Sequence, residues 1–255
     1  MTAPREAAAP AIAEKAIWQD VEFGSYTADL PLWLELARAA QGPVLELGAG
    51  AGRVTLHLAE RKLDVIALER DSDLIRELRR RAEPRNVSPR ILEADLAAPA
   101  ELLLPDDAAL VIAPLHLIQS VDPARRLPLL AALRAPLSPG AIMAISLVDE
   151  STLLAAGASA GQILPEMRQV EGWVYSSEPL WVQATEAELR VRRVRQRVSP
   201  EGALNRTVHD DLLHRLNPER LELEAEGTGY RPAGRRPIHS GADEADSVVV
   251  LLEAR

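Results

Sequence analysis

The stretch VLELGAGAGR, residues 44–53, decides the fold. A short, mostly apolar run leads into Gly48, Gly50 and Gly52, and Arg53 follows at once. A strand that enters a glycine-rich turn and opens a helix is the setting in which backbone amides receive a ligand. Two familiar patterns are broken here. The dinucleotide fingerprint G-x-G-x-x-G needs its third glycine at position 53, where Arg53 stands. The phosphate loop needs Gly-Lys-Ser/Thr, and none follows. A pyrophosphate favours bare amides at a helix start, whereas Glu46 lies two residues before the first glycine. A ligand bearing ammonium or sulfonium charge tolerates that carboxylate better than a pyrophosphate does.

Outward from the turn, the pattern repeats. Helical spacing over 29–40 precedes the strand, with Pro31 near the helix start. Strands are expected at 43–47, 63–69, 90–96, 108–113 and 140–148, with helices at 52–61 and 71–82. A Pro-interrupted helix lies before the fifth strand, begun or kinked at Pro128. Strands alternating with helices predict an α/β fold with a parallel, doubly wound sheet. From about residue 165 the period changes to two, with turn signals such as SPEG at 199–202, so 165–216 reads as an inserted antiparallel β region. A helix at 217–230 and an apolar strand at 246–254 complete the sheet. Residues 1–16 read as a flexible tail, and 17–255 as one domain.

Composition narrows the function classes. The chain has 255 residues, of which 47% are hydrophobic and 3% aromatic, so a sizeable core is available. A formal charge of −9 disfavours nucleic acid as a partner, since phosphate contacts need basic surface. The absence of cysteine excludes disulfides, thiolate zinc sites and cysteine nucleophiles. No stretch reaches the roughly 20 apolar residues of a membrane span, and the first residues do not read as a signal peptide. A cytoplasmic protein without a membrane partner is expected. His209 and His214 lie five apart with no third ligand, so no metal site is expected.

Two acids complete the argument from the turn. Glu69 ends the second strand, 19 residues after Gly50, where a carboxylate accepts both hydroxyls of an adenosine ribose. Asp95 ends the third strand, placed either to accept from an adenine amino group or to cap a helix. VLELGAGAGR, VIALERD, ILEADL and LVIAPLHLIQ, in that order, resemble the class I S-adenosylmethionine-dependent methyltransferases over about residues 26–150. The resemblance implies a Rossmann-like, seven-stranded sheet with a reversed last strand. It also implies S-adenosylmethionine as cofactor and S-adenosylhomocysteine as product. By the same resemblance the donor would be held by Glu46, Gly48, Ala49, Gly50, Gly52, Glu69, Arg70, Asp95 and Leu96, with backbone groups near Ala113–Leu115 on the methionine amine. Tyr26 is expected to cover the cofactor, in preference to Trp18 and Trp33. Arg53 either neutralises the ligand carboxylate or is a solvated first-turn arginine.

Methyl transfer from a sulfonium is an in-line displacement in which positioning supplies much of the rate, up to roughly 7–11 kcal/mol. A missing catalytic triad is therefore no objection. His116, in APLHLIQSV, is the candidate general base or acceptor-orienting group, against the alternative of a loop histidine bonded to backbone. Gln119 is a weaker candidate. DNA and amino-group enzymes of this type often carry Asn/Asp-Pro-Pro-aromatic at this point, which APLH lacks, so both substrate classes are disfavoured; methyl transfer to O, N or C of a small molecule is expected. Trp173, Tyr175 and Trp181 stand where similar enzymes build an acceptor lid, with ordinary sheet packing as the alternative. RVRRVRQR, 190–197, reads as a strand whose arginines meet Glu186, Glu188, Asp210 and Asp211, or as a site for an acidic acceptor. A non-catalytic adenosylmethionine-binding or partner-docking module and an NAD-dependent oxidoreductase are the competing readings.

Overall fold

A computed structural model describes residues 10–106, 108–158, 165–241 and 244–255. Two helices, α1 (Glu14–Phe23) and α2 (Leu30–Ala39), lead into β1 (Val44–Leu47), α3 (Arg53–Ala59), β2 (Val65–Glu69) and α4 (Ser72–Ala82). Then come β3 (Arg90–Glu93), β4 (Leu110–Ala113), α5 (Leu117–Ser120), α6 (Pro123–Arg134), β5 (Ile142–Val148) and α7 (Glu150–Ala158). An antiparallel run follows: β6 (Glu166–Val170), β7 (Trp173–Ala184), β8 (Glu188–Val198) and β9 (Leu204–His214). The chain ends with α8 (Pro218–Glu226), β10 (Tyr230–Ile238) and β11 (Ser247–Ala254).

Among the described residues these strands form a seven-stranded sheet, β10-β11-β5-β4-β1-β2-β3, and a four-stranded sheet, β6-β7-β8-β9. The large sheet is parallel except for β11, which runs against both β5 and β10. β1, β2 and β4 are buried along their whole length, which is why they read as continuous apolar runs. On one face Leu45, Leu47, Val111 and Leu147 pack with α6 and α8 through Leu129, Leu133 and Leu221. On the other, Val44, Leu110 and Ile112 pack with Trp33, Val54 and Leu58 of α2 and α3. The chain reverses its direction across the sheet between β1 and β4, the crevice where ligands bind in doubly wound sheets.

Several expectations are corrected. The stretch read as a flexible tail contains the start of α1 from Glu14, because Ala16 and Ile17 are buried; residues 1–9 lie outside the described residues. The helix before β5 begins at Pro123 under an Asp122 cap and runs through Pro128, rather than beginning there. The third strand stops at Glu93, leaving Asp95 in the following loop. β10 was not anticipated: Pro232, Gly234 and Pro237 resemble a loop, and they are accepted because β10 is an edge strand with a register shift between Pro232 and Gly234. α7 was also missed.

The small sheet is tied to α1. Arg195 binds Glu22 through two bonds of 2.7 Å, Ser177 Oγ donates to Glu22 at 2.8 Å, and Arg197 meets Glu14 at 3.0 Å. Trp18 meets Tyr175 edge-on at 5.1 Å, so both rings belong to this seam. The arginine-rich strand is thus neutralised by carboxylates on two sides, since Arg192 also binds Asp210 and Arg193 binds Asp211.

Candidate active site

The turn after β1 needs its glycines. Gly48, Gly50 and Gly52 have φ of 64°, 57° and 96°, the left-handed region that other residues enter at a cost of about 1–2 kcal/mol. Space is also lacking: a Cβ on Gly52 would stand 2.3 Å from Leu78 Cδ1, and one on Gly50 2.6 Å from Gln19 Oε1. Gln19, from α1, lies on the turn and accepts from the Ala51 amide at 3.0 Å. Ala49 donates its amide to the Leu68 carbonyl, which fixes the turn against β2.

Glu69 faces the turn from the end of β2. Its carboxylate accepts from the backbone amides of Gly50, Arg70 and Asp71, each at 2.9 Å, and it is buried. A carboxylate offers about four lone-pair directions, so one stays available to a ligand hydroxyl. Asp95, half-exposed, accepts from the Ala97 amide at 2.9 Å and stands 3.6 Å from Arg70, so the second acid and Arg70 close the same end of the crevice. Leu96 instead turns its side chain into the main core.

Arg53 is not a solvated arginine. Its guanidinium holds Asp29 through bonds of 2.7 and 2.6 Å, donates to the Tyr26 carbonyl at 3.0 Å and lies 5.3 Å from the Tyr26 ring centre. Asp29 is buried and also accepts from the Trp33 indole at 2.8 Å, and Trp33 itself lies in the core. The Arg53 Nε–H is buried without a hydrogen-bond partner among the described residues, a donor left over at the edge of the turn. Glu46 is buried beside this pair and accepts from Thr55 Oγ1 at 2.5 Å. Burial pushes its carboxyl up to about 7, so at neutral pH it carries its proton about half the time.

Beyond β4 the backbone is strained. Leu115 and His116 both have left-handed φ, 50° and 59°, directly after Ala113 and Pro114. Non-glycine residues held this way cluster at ligand sites. His116 Nε2 meets Ser247 Oγ at 2.8 Å, and burial pushes the imidazole down to about 4, which leaves it neutral at pH 7. Burial raises the Tyr26 phenol above its usual range. Ser247 is thus the partner of a residue singled out in the sequence, and sequence reasoning misses it because the first residue of β11 lies 131 positions from His116. Gln119 is committed elsewhere: its Oε1 accepts from the Val148 amide at 2.8 Å.

Tyr26, Leu115 and His116 line a cavity of about 780 Å³ between the carboxyl end of β4 and β5 and the inner face of the small sheet. Leu153, Val182 and Val191 supply apolar wall, and Glu22, Glu166 and Arg193 charged wall. The glycine turn, Glu69 and Asp95 lie outside this lining, so the site has two halves. Arg53 connects them, because it starts the helix after the turn and holds Tyr26. Trp173 and Trp181 do not line the cavity; Trp181 lies under Arg192 at 4.8 Å.

The sheet order with one reversed strand, and the glycine turn facing an acid on β2, define a Rossmann-like methyltransferase fold. Residues 44–140 match the family described as Methyltransferase domain. An uncharacterized methyltransferase of Mycobacterium tuberculosis is 37% identical over 115 residues, 44% of this chain and 42% of that protein. The matched segment thus spans less than half the length of this relative. Among solved structures, a sugar N-methyltransferase from Streptoalloteichus covers 100% of this chain and 97% of its own, with TM-score 0.71 and 15% identity. An amino pentose methyltransferase from Micromonospora, solved with S-adenosylmethionine bound, covers 92% and 96%, with TM-score 0.66 and 15% identity. No helix among the described residues is long and apolar enough to cross a membrane.

Proposed function

We propose that this chain transfers the methyl group of S-adenosylmethionine to a nucleophilic atom of a small molecule held in the 780 Å³ cavity. The observation that carries the reading is the position of Tyr26, Leu115 and His116. They belong to the donor side of the crevice, and they line a cavity of substrate size. When bound, S-adenosylmethionine supplies a methyl group on positively charged sulfur that needs no further activation.

The residues fit that group. Glu69 keeps a free acceptor direction for a ribose hydroxyl, and Asp95 closes the adenine end with Arg70. The unsatisfied Arg53 Nε–H offers a donor to a carboxylate, and the Ala113–Leu115 backbone offers acceptors to an amine. The Arg53–Asp29 pair fixes the start of α3, so the turn is held in shape before any ligand arrives. His116, neutral at pH 7, is a weak base; it orients the acceptor by hydrogen bonding, with Ser247 fixing its ring.

The structural neighbours that act on sugars support a small molecule as acceptor. The test is incubation of the protein with methyl-labelled S-adenosylmethionine and fractions of a bacterial metabolite extract. Label is expected in a small-molecule fraction and lost in Tyr26→Ala. Label in no fraction would count against catalysis.

A further inference from the structure

Among the described residues the cavity wall carries five carboxylates, on Glu22, Glu166, Asp210, Asp211 and Glu244, and one guanidinium, on Arg193. Three of the acids are answered by arginines: Glu22 by Arg195, Asp210 by Arg192 and Asp211 by Arg193. Glu166 is different. It is half-buried on edge strand β6, and its hydrogen bond is a long one, 3.4 Å from Ser25 Oγ. No cation stands within ion-pair distance of it among the described residues. Arg193 acts on it only at longer range, and Glu22 and Glu244 add negative potential around it.

A carboxylate placed this way is destabilised twice, by lost hydration and by like charge. Both costs are relieved by a ligand that brings positive charge and N–H donors, and hydrogen bonds between ionised partners are roughly twice as strong as neutral ones. The rest of the wall sets the remainder of the ligand. Leu153, Val182 and Val191 meet an apolar body, and the cavity volume suits a molecule of ring size or larger.

We propose that Glu166 selects the acceptor, its carboxylate holding the ammonium group of an amine-bearing small molecule whose apolar body fills the cavity. This rests on the reading of the cavity as the acceptor site. Arg193 cannot serve an acidic acceptor in its place, because Asp211 already holds it at 2.9 Å. The arginine-rich strand thus neutralises its own neighbours and leaves Glu166 as the charge that discriminates.

The test is an NMR-monitored titration of the protein, saturated with S-adenosylhomocysteine, with cyclohexylamine and with its neutral counterpart cyclohexanol. Calorimetry of S-adenosylhomocysteine alone is run on each variant. Cyclohexylamine is expected to bind about tenfold more tightly than cyclohexanol, the ratio set by one charge-assisted hydrogen bond. Glu166→Gln is expected to remove that preference while S-adenosylhomocysteine affinity stays unchanged, which also shows that the variant is folded. The neutral Glu201→Gln control, on the exposed β8–β9 turn, is expected to keep the preference. Equal binding of amine and alcohol, or an amine preference that survives Glu166→Gln, overturns the proposal. Absence of S-adenosylhomocysteine binding in the unaltered protein overturns the methyltransferase reading itself, a separate outcome read in a separate experiment.

Discussion

Gly50 donates its backbone N–H to Glu69 Oε2 across 2.9 Å, joining the turn after β1 to the end of β2. The same carboxylate receives the Arg70 and Asp71 amides, so one side chain both shapes the turn and faces the crevice. Glu69→Gln keeps the size but puts an amide where a ribose hydroxyl would donate. Affinity for S-adenosylhomocysteine is expected to fall by about tenfold or more in calorimetry, with circular dichroism unchanged.

Glycine at position 52 answers two separate demands, and a pair of variants separates them. Gly140 has φ of 88° with open space around it, whereas Gly52 has φ of 96° and Leu78 Cδ1 at 2.3 Å from an added Cβ. Gly140→Ala is expected to cost about 1–2 kcal/mol, the backbone share alone. Gly52→Ala adds overpacking of about 1–3 kcal/mol. Urea unfolding of both variants reads the difference.

Glu46 and His116 impose opposite pH dependences. The Glu46 carboxyl releases its proton near 4.5 when unfolded and near 7 when folded, so folding takes up a proton between these values. Stability from this group is full below pH 4.5 and is lost as pH rises through 7. Glu46→Gln is therefore expected to gain on the unaltered protein steadily from pH 4.5 to 7. His116 binds its proton near 6.5 when unfolded and only near 4 when folded, so its share is lost as pH falls across that window. His116→Gln is expected to flatten the acid side of the stability profile, read by denaturant midpoints.

Removing Asp29 leaves the Arg53 guanidinium, with 17% of its side chain exposed, without the carboxylate that receives two of its hydrogen bonds. Asp29→Ala is expected to destabilise by about 3–5 kcal/mol. The double variant Asp29→Ala/Arg53→Met is expected to lose less than the two single changes together, because the buried charge goes with its partner. An additive result in denaturant unfolding argues that the pair is not coupled.

What could be read from the chain depended on distance along it. The turn, Glu69 and the alternation of strands and helices were legible because glycine positions and apolar runs are local signals, and β1, β2 and β4 are buried on both faces. The inserted β region was legible through its period of two. Contacts between remote segments left no such trace. Nothing near Asp29 announces Arg53, nothing near Ser247 announces His116, and Glu22 and Glu166 become neighbours only when the small sheet closes on α1. β10 was hidden by its own prolines, which an edge strand accepts. Arg53 shows the limit most plainly: its position breaks the dinucleotide pattern, but only the fold shows that it holds Asp29 and Tyr26.

The account turns on which ligand the turn at Gly48–Gly52 receives, and calorimetric titration with S-adenosylhomocysteine and, separately, with NAD measures this directly. Saturable heat in the micromolar range with S-adenosylhomocysteine, and none with NAD, is the predicted result. Saturable heat with NAD and none with S-adenosylhomocysteine would contradict it.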